Sequence, residues 1–338
     1  MPLLPADNAP DLPPTVPPDQ IAQHLPRRIA PALSATETIA PAPPLGYQRD
    51  WLWRGWRVRY TFLRPATPTP TALPIVFLHG FGAAIEHWRC NLNALAQTHP
   101  VYALDFLGFG ASTKAATPYG VDLWATQVYD FWRTWIGQPV LLIGHSLGAL
   151  VAVTTAVSQP DMVRSLALLT LPAARQEALP GWAVPLVGAI EGLFASPLLL
   201  KPLFQLARRP GFIRAGLRMA YHDPSRVDDA VLNIYTTPPR DRGADRAFCW
   251  LVRSSTQPDY SPRLHTLLPQ LTCPTLLLWG EHDRIVPVKL AQQWLPLSPH
   301  LTLKTLAAGH CLYDELPEAV NQTLQHWAEQ TSAVSSPP

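Results

Sequence analysis

Short runs of consecutive apolar residues recur along the chain and predict buried strands. Continuous apolar runs bounded by turn residues are typical of strands that are covered on both faces, as in parallel sheets. Between the runs, segments with helical spacing, such as Val121–Trp135, predict helices that cover the sheet. The pattern therefore predicts an α/β class with a mostly parallel sheet, whose strands are Ile75–Leu78, Val101–Leu104, Val140–Ile143, Leu166–Leu169, Thr275–Trp279 and Leu301–Leu306.

One stretch near the start of the folded region alternates instead of running apolar throughout. From Trp51 to Leu63, large apolar residues at Trp56, Val58, Tyr60 and Phe62 alternate with polar ones. A period of two indicates a strand with one buried face. We expect this strand to pair antiparallel at the edge of the sheet.

The remaining segments set the domain organisation. Residues 1–45 are dominated by Pro and Ala, which predicts an extended or disordered arm, and residues 331–338 are expected to form a disordered tail. The domain itself is predicted to span residues 46–330. Within it, residues from about 172 to 262 contain no run of the parallel-strand type. An insertion of this length between two strands predicts a largely helical lid.

Trp182–Leu206 is the most apolar part of the predicted lid. Three interpretations stay open for it. The run can be the lid's own packing face, it can line a pocket for an acyl or prenyl chain, or it can rest on a membrane surface.

Composition narrows the possible partners. A net charge of +2 with no long basic run argues against a nucleic-acid partner. The four cysteines, which are too scattered for a disulfide framework or a metal site, are Cys90, Cys249, Cys273 and Cys311. No run of about 20 apolar residues predicts a transmembrane helix, and the N-terminus lacks the pattern of a secretory signal. We expect a protein that is not secreted and is either cytoplasmic or peripheral on a membrane.

A G-x-S-x-G motif stands between a predicted strand and a predicted helix, at Gly144–Gly148. In this context the motif forms a tight, strained turn that projects the central serine above the sheet edge, and its two glycines let strand and helix approach closely. Ser146 is therefore the candidate nucleophile. The backbone N–H of Leu147, at the helix N-terminus, is a candidate donor to an oxyanion.

The turn after Ile75–Leu78 reads His79-Gly80-Phe81-Gly82. A glycine-rich turn at this position supplies the second oxyanion N–H, and Phe81 is the candidate donor. His79 is interpreted as a brace for the loop, with a catalytic role as the alternative. Asp105, which ends the next strand, is interpreted as a structural organiser of its glycine-containing loop.

The candidate acid and base follow the last two strands. Asp283 follows Thr275–Trp279, and His310 follows Leu301–Leu306. His310 would take the Ser146 proton, and Asp283 would hold the imidazole in the required tautomer. Other residues are alternatives for the acid and the base. Those nearby in sequence are Glu281, His282 and Glu315, and Asp259 is a more distant alternative for the acid. Ser, then Asp, then His, with serine as the nucleophile, predicts acyl transfer to water.

The chain from Trp51 to about Trp327 resembles the α/β-hydrolase superfamily, and within it the pheophytinase and chlorophyll dephytylase group. Four segments support the resemblance, and the last of them is the most specific: Gly80–Gly82 with Trp88, Asp105–Gly108, Tyr119–Trp124 and Ala308–Glu318. The resemblance implies an eight-stranded, mostly parallel sheet with helices on both faces and an inserted helical lid.

The resemblance also implies the reaction. It is hydrolysis of the phytyl ester of chlorophyll or pheophytin, without a metal, at a thylakoid surface. Three alternatives stay open: a carboxylesterase or lipase for other hydrophobic esters, a carbon–carbon bond hydrolase with the same three residues, and a small-molecule receptor without turnover.

Overall fold

A single eight-stranded sheet forms the centre of the molecule in the computed structural model, which describes residues 45–67, 72–178 and 197–333. The strands run in the order β1-β2-β4-β3-β5-β6-β7-β8. β1 pairs antiparallel with β2, β2 pairs antiparallel with β4, and the remaining pairs are parallel. The strands are β1 Tyr47–Trp53, β2 Trp56–Leu63, β3 Ile75–Leu78, β4 Val101–Leu104, β5 Val140–His145, β6 Val163–Leu169, β7 Thr275–Gly280 and β8 Leu301–Leu306. The predicted mostly parallel α/β sheet is confirmed.

The central strands are apolar at every position because both faces of the sheet are covered. In β3 and β5, successive side chains enter two different cores: Val76 and Leu142 pack into one cluster, and Phe77 and Ile143 pack into the other. All four side chains are fully buried. This follows from the alternation of side chains across a strand when helices lie on both faces.

Twelve α-helices are described around this sheet. Val121–Trp135, predicted from its spacing, has these bounds in the structure. The described helices are α1 Leu92–Leu95, α2 Val121–Trp135, α3 Leu147–Ser158, α4 Arg175–Ala178, α5 Pro197–Ala207, α6 Pro210–Ala220, α7 Asp229–Thr236, α8 Ala244–Ser255, α9 Leu264–Leu267, α10 Lys289–Trp294, α11 Leu312–Glu315 and α12 Pro317–Ala333. Of the described helices, none is long and apolar enough to span a bilayer.

The prediction of one strand over Trp51–Leu63 is wrong in two respects. The segment is a hairpin, and β1, not β2, is the edge strand. The two strands are joined at Arg54 and Gly55, both of which have positive φ values, 49° and 83°. Two such residues form the tight turn that the twist of a hairpin favours. The predicted alternation also fails at Thr61, which is buried because its hydroxyl donates to the Leu45 carbonyl.

The described part of the region between β6 and β7, the helical insertion, contains helices and connecting loops. Helices α4 to α9 and three short 3₁₀ turns lie in it, and no strand lies within its described residues. Residues 179–196, with most of the apolar run Trp182–Leu206, lie outside the described residues.

Both predicted terminal segments also lie largely outside the described residues. Residues 1–44 of the predicted arm and residues 334–338 of the predicted tail are among those not described. The tail boundary is wrong, because α12 continues through Ala333. Thr331 within it is buried, and its hydroxyl lies 2.9 Å from that of Ser165.

Candidate active site

The turn between β5 and α3 holds Ser146 in a strained backbone conformation, with φ 52° and ψ −113°. Non-glycine residues rarely adopt positive φ, and such strain clusters at functional sites. A Cβ on Gly144 would lie 2.2 Å from the Gly148 carbonyl oxygen, and one on Gly148 would lie 2.2 Å from that of Leu78. Both contacts are with backbone, so strand and helix can approach this closely only with glycine.

The candidate oxyanion turn, His79–Gly82, lies against the serine elbow, which is the turn between β5 and α3. A Cβ on Gly80 would lie 2.7 Å from Nδ1 of His145, the residue before Ser146. Phe81 follows, 57% exposed, and Gly82 completes the turn with φ 72°. The segments that carry the two candidate oxyanion donors, Phe81 and Leu147, therefore pack directly against each other.

His79 braces the loop, as expected. Its Nδ1 lies 2.7 Å from the Gly80 carbonyl oxygen, and its Nε2 accepts a hydrogen bond from the Phe106 N–H at 3.0 Å. Both ring nitrogens are therefore engaged by the backbone. Burial lowers the pKa of His79 from 6.5 to about 4, so the imidazole stays neutral at pH 7.

Asp105 also has the organising role expected of it. One carboxylate oxygen accepts the Ile85 N–H at 2.8 Å, and the other accepts the Ala111 N–H at 2.7 Å. Burial raises its pKa from 3.8 to about 6. The carboxylate thus joins the loops that follow β3 and β4.

His310 and Asp283 form a buried pair at the carboxyl ends of β7 and β8. His310 Nδ1 lies 2.8 Å from Asp283 Oδ2. The second oxygen, Asp283 Oδ1, accepts the N–H groups of Ile285 and Val286, each at 2.8 Å. The Asp283 side chain is completely buried and that of His310 is 9% exposed. The acid is thereby held by its own loop and oriented towards the imidazole.

The alternative acids have other partners or lie at the surface. The Glu281 carboxylate accepts from the Thr305 hydroxyl, and the Glu315 carboxylate accepts from the Gly309 N–H. His282 stacks on His222, with ring centroids 4.0 Å apart. Asp259 is exposed. Of the predicted candidates, the structure brings Asp283 to the His310 ring.

His145 joins the serine elbow to the histidine loop, which follows β8 and carries His310. Its Nε2 lies 3.0 Å from the His310 carbonyl oxygen, and the two rings are 4.6 Å apart between centroids. Since a carbonyl only accepts, the Nε2 atom of His145 carries the proton. Burial lowers the pKa of His145 well below its usual value. Ser146, next in the chain, is half-buried beside this contact.

A buried polar network extends from His145, and the sequence reasoning missed it. The Tyr313 hydroxyl lies 3.3 Å from His145 Nδ1 and 2.6 Å from His87 Nδ1. His87 Nε2 meets the Tyr221 hydroxyl at 3.0 Å, which donates to Asp314 at 2.9 Å. These residues come from four distant segments without a shared local pattern. No spacing in the sequence could have assembled them.

Glu315 joins the histidine loop to the helical insertion. One carboxylate oxygen accepts the Gly309 N–H at 2.9 Å, and the other accepts the N–H groups of His222 and Asp223 at 2.9 Å and 3.2 Å. The His310 N–H adds a bond to the Ala220 carbonyl at 2.7 Å. The end of α6 is thus fastened to the residues around the candidate base. Glu315 lies in the run Ala308–Glu318, whose specificity was the one signal that pointed to it.

An apolar cavity of about 120 Å³ opens beside the oxyanion turn. Phe81 and Phe109 line it from the sheet side, while Phe204, Phe248 and Leu251 line it from the insertion. Such a surface favours an apolar group over a charged one. Within residues 45–67, 72–178 and 197–333, no group of three or more His, Cys, Asp or Glu side chains is arranged to hold a metal ion.

The arrangement suits one kind of chemistry. It combines a hydroxyl on a strained turn, an imidazole with an acidic partner, and two backbone N–H groups on adjoining turns. An imidazole oriented by a carboxylate can accept a proton from a hydroxyl, and backbone N–H groups can stabilise a developing oxyanion.

Comparison with known proteins gives a consistent result. A family model described as the alpha/beta hydrolase fold matches residues 74–317. Chloroplastic pheophytinase of Arabidopsis thaliana is 24% identical over 311 residues, covering 75% of this chain and 60% of that protein. The 2-hydroxy-6-oxo-6-(2'-aminophenyl)hexa-2,4-dienoic acid hydrolase of Metapseudomonas resinovorans is 27% identical over 235 residues, covering 66% of this chain and 72% of that protein.

Among solved structures, a thermophilic esterase from Thermogutta terrifontis is similar in fold. It superimposes with a TM-score of 0.67 at 20% identity, and the match covers 85% of this chain and all of that one. At this identity the likeness concerns the fold.

Proposed function

This chain belongs to the alpha/beta hydrolase family, and on that premise we propose that it is a serine hydrolase that cleaves a carboxylic ester of a hydrophobic substrate. Ser146 is the nucleophile, His310 the general base and acid, and Asp283 the residue that orients His310. The N–H groups of Phe81 and Leu147 form the oxyanion hole. The observation that carries the proposal is the 2.8 Å contact between His310 Nδ1 and Asp283 Oδ2, next to the strained serine turn.

The mechanism follows from these positions. His310 Nε2 takes the Ser146 proton while Oγ attacks the ester carbonyl, and Asp283 stabilises the imidazolium that forms. The oxyanion is held by the two N–H groups, and its collapse expels the alcohol, which receives the proton from His310. Water, activated by the same imidazole, then hydrolyses the acyl-enzyme.

The substrate we propose is the phytyl ester of chlorophyll or pheophytin. The run Ala308–Glu318 and the similarity to pheophytinase support this choice. The apolar cavity beside the oxyanion turn supports an apolar group in the substrate. The helical insertion then acts as a lid that shields this group from water.

A second candidate is hydrolysis of a carbon–carbon bond in a 2-hydroxy-6-oxo dienoate. The similarity to the hydrolase of Metapseudomonas resinovorans favours it. That substrate carries a carboxylate at the end opposite the bond to be broken. It would require a cationic side chain in the pocket, where Lys114 is the cationic residue in the described lining.

The class of reaction is tested by covalent labelling. We expect a fluorophosphonate to label the intact protein rapidly and Ser146→Ala to remain unlabelled, because the probe traps an activated serine. A folded wild-type protein that resists labelling would favour a receptor without turnover and would contradict the proposed class.

The substrate is tested by incubating the protein with pheophytin a, chlorophyll a, a p-nitrophenyl ester series and a 2-hydroxy-6-oxo dienoate. Release of phytol that is lost in Ser146→Ala supports the pigment ester. Turnover of the p-nitrophenyl esters alone retains the esterase and rejects the pigment, and turnover of the dienoate alone favours the second candidate.

A further inference from the structure

Helix α5, at the start of the described part of the insertion, carries two apolar stripes. Leu200 and Phe204 are buried and face the rest of the protein. Leu199, Leu203 and Leu206 are 50%, 49% and 45% exposed. Their spacing of four and three residues places these three leucines on one face of the helix. Packing within the protein therefore accounts for one stripe of α5 and leaves the other in contact with solvent.

Helix α6 repeats this arrangement. Leu217 and Ala220 are buried, whereas Phe212 and Met219, seven residues apart, are 56% and 57% exposed. Of the ten most exposed large apolar side chains in the described part of the chain, five lie on α5 and α6. A concentration of this kind on two neighbouring helices marks an interaction surface, since single exposed apolar residues are normally scattered. We call the stripe residues Leu199, Leu203, Leu206, Phe212 and Met219 the apolar face.

The charged residues on α5 and α6 themselves are all basic. The sequence from residue 197 to 222 contains five basic residues and no acidic residue. Arg214 pairs with Asp229 at 2.7 Å, and the Arg208 guanidinium lies 6.0 Å from the centre of the Phe204 ring. The basic residues that are exposed are Lys201, Arg208, Arg209 and Arg218.

We propose that the apolar face and its four exposed cations dock this protein on the surface of an anionic lipid bilayer. Helices that lie in a membrane interface combine leucine and phenylalanine on one face with lysine and arginine on the polar face. Anionic lipids attract such cations, and the apolar side chains then enter the boundary between headgroups and acyl chains. The bilayer satisfies both features at once, because no acidic residue on α5 or α6 accompanies the four exposed cations.

The docking proposal stands independently of the proposed reaction. None of the residues of the apolar face is among the proposed catalytic residues. The face also differs from the lining of the cavity, to which α5 contributes Phe204. If the reaction is that of a hydrophobic ester, the docked insertion would hold the site next to the phase in which such a substrate dissolves.

The test is flotation of the full-length Ser146→Ala protein with lipid vesicles, so that hydrolysis of the vesicle does not interfere. We expect it to float with vesicles of phosphatidylglycerol and phosphatidylcholine, and at least tenfold less with phosphatidylcholine alone. Binding should weaken as salt rises, because salt screens the attraction between exposed charges. Leu203→Glu, and separately Lys201→Glu combined with Arg218→Glu, should lower binding about tenfold or more.

Matched controls lie on the edge strand. Leu52 is 73% exposed on β1 and Arg49 is exposed beside it, so Leu52→Glu and Arg49→Glu remove equivalent groups outside the apolar face and should bind as the parent does. The same substitutions in the protein with Ser146 intact should leave the turnover of a water-soluble p-nitrophenyl ester unchanged. This result would separate docking from catalysis.

Four results would overturn the docking proposal. The first three are absence of flotation with anionic vesicles, equal flotation with neutral vesicles, and flotation that Leu203→Glu and Leu52→Glu affect equally. Sedimentation that reveals a dimer separated by Leu203→Glu would assign the apolar face to contact between copies of the chain and would likewise reject the bilayer.

Discussion

Replacement of Asp283 by asparagine should affect catalysis more than folding. Its two oxygens are divided between His310 and the backbone of its own loop, and in Asp283→Asn the amide oxygen can keep both backbone bonds while the NH₂ group faces His310. An amide would favour the wrong tautomer of the imidazole. We expect kcat for a p-nitrophenyl ester to fall by about 10⁴-fold.

Asp259→Asn is the matched control for this change, because Asp259 is an exposed carboxylate that was the alternative acid. We expect its kcat to equal that of the wild type. A large loss in Asp259→Asn together with activity in Asp283→Asn would reverse the assignment of the acid.

His87 gives a prediction about pH. Burial lowers its pKa from 6.5 to about 4, so between these values the unfolded chain binds more protons than the folded one. The stability that the neutral ring contributes is complete above pH 6.5 and is lost as the pH falls towards 4. We therefore expect His87→Gln to lower the free energy of unfolding at pH 7.5, and this difference to shrink by about 2 kcal/mol at pH 5.

Urea unfolding of both proteins at the two pH values measures this difference. Asp105, whose pKa is raised by burial, changes the free energy of unfolding in the opposite direction as the pH falls. Both proteins contain Asp105, so its contribution cancels in the comparison. An unchanged difference between pH 7.5 and pH 5 would mean that His87 does not titrate as its burial requires.

At the residue scale, the sequence predicted those side chains that follow a strand or sit in a local motif. Ser146, Asp283 and His310 belong to this class, since parallel strands end at one edge of a sheet. His87, His145 and the residues around them were not predictable in this way. Their contacts join segments far apart in the chain, and depend on side-chain packing that no periodicity encodes.

Helix α3 and the carboxyl end of β3 should tolerate no added atom between them. In Gly148→Ala, the new Cβ would meet the Leu78 carbonyl oxygen at 2.2 Å and that of His79 at 2.8 Å, both of them backbone atoms. One element must shift, so we expect a loss of about 1–3 kcal/mol in the free energy of unfolding and a severe loss of activity. Unfolding in urea and ester turnover measure the two effects.

Gly216→Ala is the control for this substitution. Gly216 lies inside α6, and nothing lies within 4 Å of the position of an added Cβ. We expect it to be neutral or to stabilise by up to about 1 kcal/mol, because alanine is the better helix former. If both variants lost the same stability, the close approach at the elbow would not be the cause.

The Glu315 carboxylate is one of the groups that join the insertion to the histidine loop. Glu315→Gln would turn an amide NH₂ towards backbone N–H donors, so either Gly309 or the pair His222 and Asp223 would lose its acceptor. We expect the free energy of unfolding to fall by about 1–3 kcal/mol, with kcat/KM reduced about tenfold or more. Glu318→Gln, at an exposed position three residues later, should change neither quantity.

At the element scale, strands buried on both faces were predictable because every position must be apolar. The hairpin was missed although the alternation changes phase between Trp53 and Trp56, because Arg54 and Gly55 are not the Asn-Gly or Asp-Gly pair that marks such turns. An arginine with positive φ has no local signature, and the turn is specified by the pairing of β1 with β2. The pairing of β1 with β2 therefore sets the structure of this segment, and the alternation of apolar and polar residues alone does not.

The whole molecule, from Leu45 onward, contains the sheet, both of its covered faces and all the proposed catalytic residues. The first described tertiary contact is the hydrogen bond from the Thr61 hydroxyl to the Leu45 carbonyl, and β1 begins at Tyr47. The Pro- and Ala-rich composition of residues 1–44 predicts that they build no packed element. A chain that begins at Leu45 should keep the melting temperature of the full-length protein within a few degrees, and should keep its turnover of a p-nitrophenyl ester.

Removal of residues 1–54 should behave very differently, because it takes away β1 and leaves β2 as an open edge. The lost pairing extends from Tyr47 opposite Phe62 to Trp53 opposite Trp56. An unpaired apolar edge strand is a template for aggregation. We expect this shorter chain to be recovered largely as aggregate, which light scattering and ester turnover would measure. A monodisperse, active product would show that β1 is dispensable to the fold.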